Sequence, residues 1–185
     1  MSTSNEIQDY ELLLSKLRKK EAWIKVSEND DIPWSKKIIE KLTNQLDWPT
    51  LCDNSCIEWD EEMIDSFKDR IDWYVLSQKI YADRRGCGSK EKDWTLLKKY
   101  ESNWNWDVLS RNSESIPLHI LKQFADKWNW RELIDNRYIE WSFEFYESLK
   151  QYIPTQDFDY LKNSELWGKL VEMEEQIIIG KILEK

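Results

Sequence analysis

The chain has 185 residues and a formal net charge of −9, with 36 acidic against 27 basic side chains. This acidic balance disfavours binding to nucleic acid and to anionic membrane surfaces, because both attract proteins rich in Lys and Arg. The sequence shows no secretory signal and no apolar run long enough to span a membrane, and an odd count of three cysteines does not suggest a disulfide framework. We therefore expect a cytoplasmic protein.

The first predicted element is a helix over residues 5–21, where apolar side chains recur at helical spacing: Ile7, Tyr10, Leu13, Leu14 and Leu17. Only four glycines and four prolines interrupt the chain, which favours helical structure throughout. We expect this helix to cap the open end of a repeat array, since the terminal units of solenoids turn one face to water.

A tryptophan phrase recurs between residues 22 and 154. In full form it reads W-x-x-L-S-x-N, and its copies, at intervals of 25, 25, 33 and 24 residues, begin at Trp23, Trp48, Trp73, Trp106 and Trp130. Each copy is followed by a second tryptophan or its replacement, at Trp34, Trp59, Trp94, Leu118 and Trp141. Self-similarity at this period is typical of helical repeat arrays.

Each repeat is predicted to hold two helices. Capping residues follow the second tryptophan and predict a helix of about 12 residues there, at Ser35, Asp60, Thr95 and Ser142. Others precede the phrase tryptophan and predict a shorter helix, at Asp47, Asp72, Asn105 and Asn129. The pattern predicts an all-α single domain over residues 1–185, a short right-handed α-solenoid of about five 25-residue two-helix repeats, with residues 155–185 as a C-terminal cap.

The phrase, followed by I-x-W as in Ile57-Glu58-Trp59, resembles tryptophan-rich tandem repeats of uncharacterised bacterial and large-DNA-virus proteins. The resemblance covers residues 22–154. It implies a helical array, and it carries over no catalytic or ligand-binding residue.

The twelve tryptophans allow two interpretations. They could be stacking platforms for bases or sugars, as in proteins that bind single strands beside a basic groove. They recur in phase with Leu and Ile, however, and the chain is acidic, so we interpret them as core residues.

Three cysteines and one histidine have the residue types of a zinc site: Cys52, Cys56, Cys87 and His119. The Cys52–Cys56 spacing is not that of a zinc ribbon, and Cys52 occupies the serine position of its repeat, so we predict no metal and no cofactor. Cys87 lies between two glycines and near two arginines, where a thiol pKa could fall.

The longest interval between repeats contains a basic insertion near residues 79–92, with a local charge of +3. Insertions in repeat arrays form loops and often contribute to a binding face. Our candidate partner-binding residues are therefore Lys79, Arg84, Arg85, Cys87, Lys90 and Lys92. A tolerated surface insertion remains the alternative.

An acidic run of opposite sign, with a local charge of −6, extends from Asp53 to Asp69. Such a run is usually a solvated face. The functional alternative is an acidic patch that docks a basic protein in place of nucleic acid, through Asp60, Glu61, Glu62, Asp65 and Asp69.

The sequence contains no phosphate-binding glycine loop, no H-E-x-x-H and no G-x-S-x-G, so we predict no enzymatic activity. The leading hypothesis is a helical repeat protein that binds another protein. An acidic inhibitor or immunity-type protein, which blocks the basic site of a nucleic-acid enzyme, is the alternative. A hydrolase or nucleotide-binding role centred on the insertion is a third hypothesis.

Overall fold

A computed structural model describes residues 4–82 and 92–184, and throughout these ranges the regular structure is helical, with no strand. The predicted all-α class is therefore confirmed for the described part of the chain. Residues 4–79 belong to one compact unit, and residues 80–82 and 92–184 belong to a second. None of the described helices combines the length and apolar character that crossing a membrane requires.

The first unit contains five helices, α1 Ser4–Glu28, α2 Lys36–Leu42, α3 Trp48–Asp53, α4 Glu61–Phe67 and α5 Trp73–Lys79. The last turns of α1 pack against α3, and α3 packs against α5. The core consists of side chains with almost no exposed surface, at Ile39, Leu51, Ile57, Ile64 and Leu76.

The second unit contains α6 Thr95–Lys99, α7 Trp106–Asn112, α8 Leu118–Gln123, α9 Trp130–Ile134, α10 Phe143–Leu149, α11 Phe158–Lys162 and α12 Glu165–Leu183. Two 3-10 helices, Lys150–Tyr152 and Thr155–Asp157, connect α10 to α11. Helix α9 packs against α7 and α11, and α11 packs against α12. The core is a set of fully buried leucines at positions 97, 109, 121, 133 and 149.

The helices that begin at a phrase tryptophan have the predicted N-caps. In each case the cap side chain accepts a hydrogen bond from the backbone N–H three residues later. The distances are 3.2, 3.1, 3.0 and 3.3 Å, for Asp47, Asp72, Asn105 and Asn129 in that order. Each bond satisfies one of the N–H groups that the first turn of a helix leaves without a partner.

The first helix of each repeat is shorter than the predicted 12 residues, since α2, α4, α6, α8 and α10 have five to seven. A turn follows each of them, and apolar residues in these turns, such as Leu46 and Ile71, are also buried. Their backbone N–H groups still bond four residues back, to Leu42 and Phe67. The helical spacing of apolar residues therefore continues past the end of each helix into the turn that follows it.

Two predicted boundaries are wrong. Thr95 is the first residue of α6 and not its cap, because the Asp93 carboxylate accepts from both the Thr95 N–H and its hydroxyl, at 3.0 and 2.6 Å. The first helix does not end at residue 21 but continues through Trp23 to Glu28. Ala22 stands where the other copies have Asp or Asn, and alanine favours the helix interior and cannot cap.

Candidate functional site

The phrase tryptophans use their indole N–H groups within the scaffold. Those of Trp48, Trp73 and Trp106 donate to the backbone carbonyl five residues earlier at 3.1 Å, and that of Trp130 does so at 3.0 Å. These carbonyls lie where the preceding helix ends and its own hydrogen bonds stop. The indole therefore fixes the approach of one helix to the next.

The serine of the phrase joins consecutive copies. The buried Ser110 hydroxyl donates to the carbonyl of Trp106 at 2.7 Å and accepts from the backbone N–H of Asn129 at 3.0 Å. In the first unit the same two bonds, at 2.9 and 3.0 Å, connect Ser27 with Trp23 and Asp47.

The asparagine of the phrase points back to the previous copy. The buried Asn136 amide donates to the carbonyls of Ser110 and Ser113 at 2.8 and 3.0 Å. Asn54 donates in the same way to the Ser27 carbonyl at 3.1 Å. Tryptophan, leucine, serine and asparagine thus all serve the scaffold in these copies, and recognition has to come from other side chains.

Six tryptophans are buried, five are half-buried, and only Trp167 is exposed, with 39% of its surface open. Burial fits the core interpretation for the six buried tryptophans, whereas the five half-buried ones keep part of their surface open and one of them, Trp94, lines a cleft. Trp167 lies outside the predicted array, near the start of α12, and it does not follow that interpretation.

The structure describes two residues of the predicted basic site. Lys79 forms an ion pair with Asp53 at 2.8 Å. The Lys92 ammonium donates to the Tyr81 carbonyl at 2.8 Å and to the carbonyl and carboxylate of Glu114 at 3.0 and 3.3 Å. Both lysines therefore hold structural contacts. The other four candidates lie outside the described residues: Arg84, Arg85, Cys87 and Lys90.

A cleft of about 570 Å³ opens in the second unit between α6 and α8. Trp94, half-buried, lines it and stacks on Tyr81, with ring centroids 4.3 Å apart and planes 6° from parallel. Lys98 and Gln123 line the cleft together with His119, the single histidine of the chain. Donor groups beside an aromatic surface suit an anionic side chain such as a carboxylate.

Every residue of the predicted acidic patch is exposed: Asp60, Glu61, Glu62, Asp65 and Asp69. Asp60 has a structural role because it caps α4, accepting from the Met63 N–H at 2.8 Å. Glu62 pairs with Lys36 at 3.0 Å, and this hydrogen bond raises the pKa of that lysine. The patch is thus assembled along α4 and the turn after it.

The candidate zinc residues are not brought together in the described part of the chain. Cys52 is buried, and desolvation raises the pKa of its thiol to about 12, although a hydrogen bond from the Asp72 backbone N–H offsets part of that rise. Cys56 is exposed, and Cys87 lies outside the described residues. Among the described residues no three His, Cys, Asp or Glu side chains are grouped as a metal site requires.

The two longest helices carry exposed apolar side chains. On α1 they are Leu12, Leu13, Leu14 and Leu17, although the sequence analysis expected the helix that carries the last three to pack over the end of the array. On α12 they include Trp167, Val171, Ile178 and Ile182, which the sequence analysis did not single out as exposed. Helix α12 buries Leu166 and Leu170 on another face. Its apolar residues therefore form two stripes, and the separate phases of these stripes were a signal that sequence reasoning could have used.

Comparison of this chain with protein-family models, with curated proteins and with solved structures finds no match. Its function has to be inferred from its own side chains.

Proposed function

We propose that this protein is a non-catalytic helical repeat protein that binds another protein. The observation that carries the proposal is the cleft of about 570 Å³ between α6 and α8, which is lined by Trp94, Lys98, His119 and Gln123. Asp93 also lines it, but its carboxylate accepts hydrogen bonds from the Thr95 N–H and hydroxyl. The bonds of the repeated phrase are internal, so the phrase acts as scaffold and leaves this cleft for recognition. The partner that fits it is an acidic segment, whose carboxylates bind Lys98 and the donor groups beside it.

The proposed architecture is a short right-handed α-solenoid of about five two-helix repeats, forming a single cytoplasmic domain. It is supported by the modules within each unit, since α3 and α5, like α7 and α9, begin with a capped tryptophan phrase. Solenoids present long series of side chains on one face and bind macromolecules in this way. The basic insertion near residues 79–92 is proposed as a further contact with the partner.

Affinity capture from the native host, with the captured proteins identified by mass spectrometry, tests the proposal. The wild-type chain is compared with a Lys98→Ala/His119→Ala variant and with an Arg84→Ala/Arg85→Ala/Lys90→Ala variant. A matched control, Lys122→Ala/Lys162→Ala, removes exposed charge outside the cleft.

The expected result is a protein that the wild type and the control capture and that both test variants lose. Capture that survives the loss of Lys98 and His119 contradicts the role of the cleft. If the wild type captures no protein reproducibly, the proposed function itself fails.

A second candidate is an acidic inhibitor or immunity-type protein. The observation that favours it is that every residue of the acidic patch along α4 is exposed. A variant that carries Asp60→Asn, Glu61→Gln, Asp65→Asn and Asp69→Asn is then expected to lose binding, and wild-type affinity should fall steeply with salt. Asparagine also caps helices, so the change at position 60 preserves the start of α4. Affinity that is independent of salt excludes this candidate.

A further inference from the structure

Helix α12 has an exposed apolar stripe separate from the face that packs on its own unit. The stripe consists of Trp167, Val171, Ile178 and Ile182, which recur at steps of four, seven and four residues and so share one face. Glu174 and Glu175 lie three and four residues after Val171 and interrupt the stripe in its middle. The face therefore combines apolar side chains with two exposed carboxylates.

Helix α1 presents the complementary face. Residues 11–20 are exposed along its whole circumference, and Leu13, Leu14 and Leu17 form its apolar stripe. Arg18 follows Leu14 by four residues and Lys20 follows Leu17 by three, so both bases flank that stripe. Lys16 follows Leu13 by three residues and also flanks the stripe. Lys19 lies two residues from Leu17 and projects from the opposite side of the helix.

We infer that α1 of one copy of this chain packs against α12 of a second copy through these two stripes. The net charge beside each stripe favours the mixed pairing. The α1 stripe is flanked by three bases and one acid, Lys16, Arg18, Lys20 and Glu21, and the α12 stripe by two acids and one base, Glu174, Glu175 and Lys181. Opposite net charges therefore meet only when α1 lies against α12. An apolar contact flanked by complementary charges is how helices select partners in coiled coils.

The spacing fits an antiparallel arrangement. If Leu14 of one copy lies beside Ile178 of the other, Arg18 is one turn further along α1 and Glu174 is one turn back along α12. Arg18 and Lys20 then reach Glu174 and Glu175. The same contact also covers apolar side chains, including the one exposed tryptophan of the chain, that otherwise remain in water.

Sedimentation equilibrium of the full chain, from micromolar to near-millimolar concentration, tests this inference. The wild type is expected to form a species of at least twice the 22.6 kDa mass of the single chain. Arg18→Glu/Lys20→Glu and Glu174→Lys/Glu175→Lys are each expected to weaken association at least about tenfold, because each change replaces attraction with repulsion. All four substitutions together restore the opposite-charge pairing and should bring the affinity back to within about threefold of wild type.

The matched control is Lys19→Glu/Lys41→Glu, which makes the same change in net charge at exposed positions away from both stripes and should alter the association constant less than about threefold. Circular dichroism of each variant confirms that the helices form. A wild type that stays monomeric overturns the inference. Unchanged association in the Arg18→Glu/Lys20→Glu variant also overturns it, and so does a variant with all four substitutions whose affinity does not recover. None of these outcomes affects the cleft between α6 and α8, which lies on other helices and is tested by capture.

Discussion

The side-chain amide of Asn136 donates to the backbone carbonyl of Ser110 at 2.8 Å, and both residues are buried. The amide donates a second bond to the Ser113 carbonyl at 3.0 Å, and its oxygen accepts from the Tyr138 backbone N–H at 2.9 Å. In Asn136→Ala two carbonyls lose a buried donor, so we expect the free energy of unfolding to fall by about 2 to 4 kcal/mol. Urea denaturation measures the change.

The matched control for this prediction is Asn163→Ala. Asn163 is exposed and donates only to the Asp159 carbonyl, at 2.9 Å, where water can replace it. We expect a loss below about 0.5 kcal/mol. If Asn136→Ala and Asn163→Ala reduce the free energy of unfolding equally, Asn136 does not link the two copies.

Trp130 and Trp128 are both buried but differ in one hydrogen bond. The Trp130 indole N–H donates to the Ala125 carbonyl at 3.0 Å, whereas the Trp128 N–H is buried with no hydrogen-bond partner in the described structure. Tryptophan to phenylalanine removes the N–H and part of the ring at both positions. We expect Trp130→Phe to reduce the free energy of unfolding by about 1 to 2 kcal/mol more than Trp128→Phe does. Thermal unfolding at equal protein concentration shows the difference. A larger loss in Trp128→Phe than in Trp130→Phe would mean that the Trp130 indole hydrogen bond does not stabilise the protein.

The sequence was sufficient to predict the starts of the phrase helices because the same capping position recurs in four copies of the repeat. Asp47, Asp72, Asn105 and Asn129 stand at the same position of the phrase, and their role as caps follows from residue type alone. The length of the first helix was not predictable in this way. Burial at Leu46 and Ile71 continues the helical spacing into a turn, and periodicity does not separate the two.

One residue that lines the cleft, Lys92, was a partner-binding candidate in the sequence analysis. The count of charged residues identified the region around Lys92 as basic. It could not show that the Lys92 ammonium donates to the carbonyls of Tyr81 and Glu114. Lys98 and His119 are 21 positions apart in the sequence, and only the folded structure brings them to one cleft. Contacts between residues so distant in sequence depend on packing, which no local pattern encodes.

Cys52 occupies the position that serine has in three other copies, at Ser27, Ser77 and Ser110. The two serines described above each donate one hydrogen bond and accept another. Cys52→Ser should therefore change the free energy of unfolding by less than about 1 kcal/mol. Ser110→Ala, in contrast, leaves the Asn129 N–H without its acceptor and should cost about 1 to 3 kcal/mol. Guanidinium unfolding of both variants compares them, and a Cys52→Ser loss as large as that of Ser110→Ala rules out the equivalence.

The stability of the protein should fall at alkaline pH. Burial raises the pKa of the Cys52 thiol to about 12, against about 8.5 for an ordinary thiol in the unfolded chain. Between these values the unfolded chain loses the proton and the folded chain keeps it, so the free energy of unfolding decreases as pH rises, by up to about 1.4 kcal/mol per pH unit. Burial raises the pKa of Tyr81 as well, which adds a loss in the same direction.

Urea titrations at a series of pH values measure this slope, with Cys52→Ser as the matched variant. Serine does not titrate in this range, so the variant should lose less stability between pH about 9 and 12 than the wild type. Identical slopes show that Cys52 is not the group responsible.

Gly180 and Gly168 both lie within α12, and a methyl group added at either position meets no atom within 4 Å. Glycine lowers helix stability relative to alanine by about 1 kcal/mol, so each change to alanine should be stabilising. The two substitutions should differ in how much of the protein they stabilise. Gly168 lies between the buried Leu166 and Leu170, and Gly168→Ala should therefore raise the global free energy of unfolding.

Gly180 lies in the exposed half of α12, so Gly180→Ala should act locally. At concentrations where the chain is monomeric, we expect slower amide hydrogen exchange over residues 177–183, with the urea midpoint nearly unchanged, because a segment that is exposed in its own chain opens independently of the core. A raised urea midpoint in Gly180→Ala contradicts this division of α12, since it means that the terminal turns unfold together with Leu166 and Leu170.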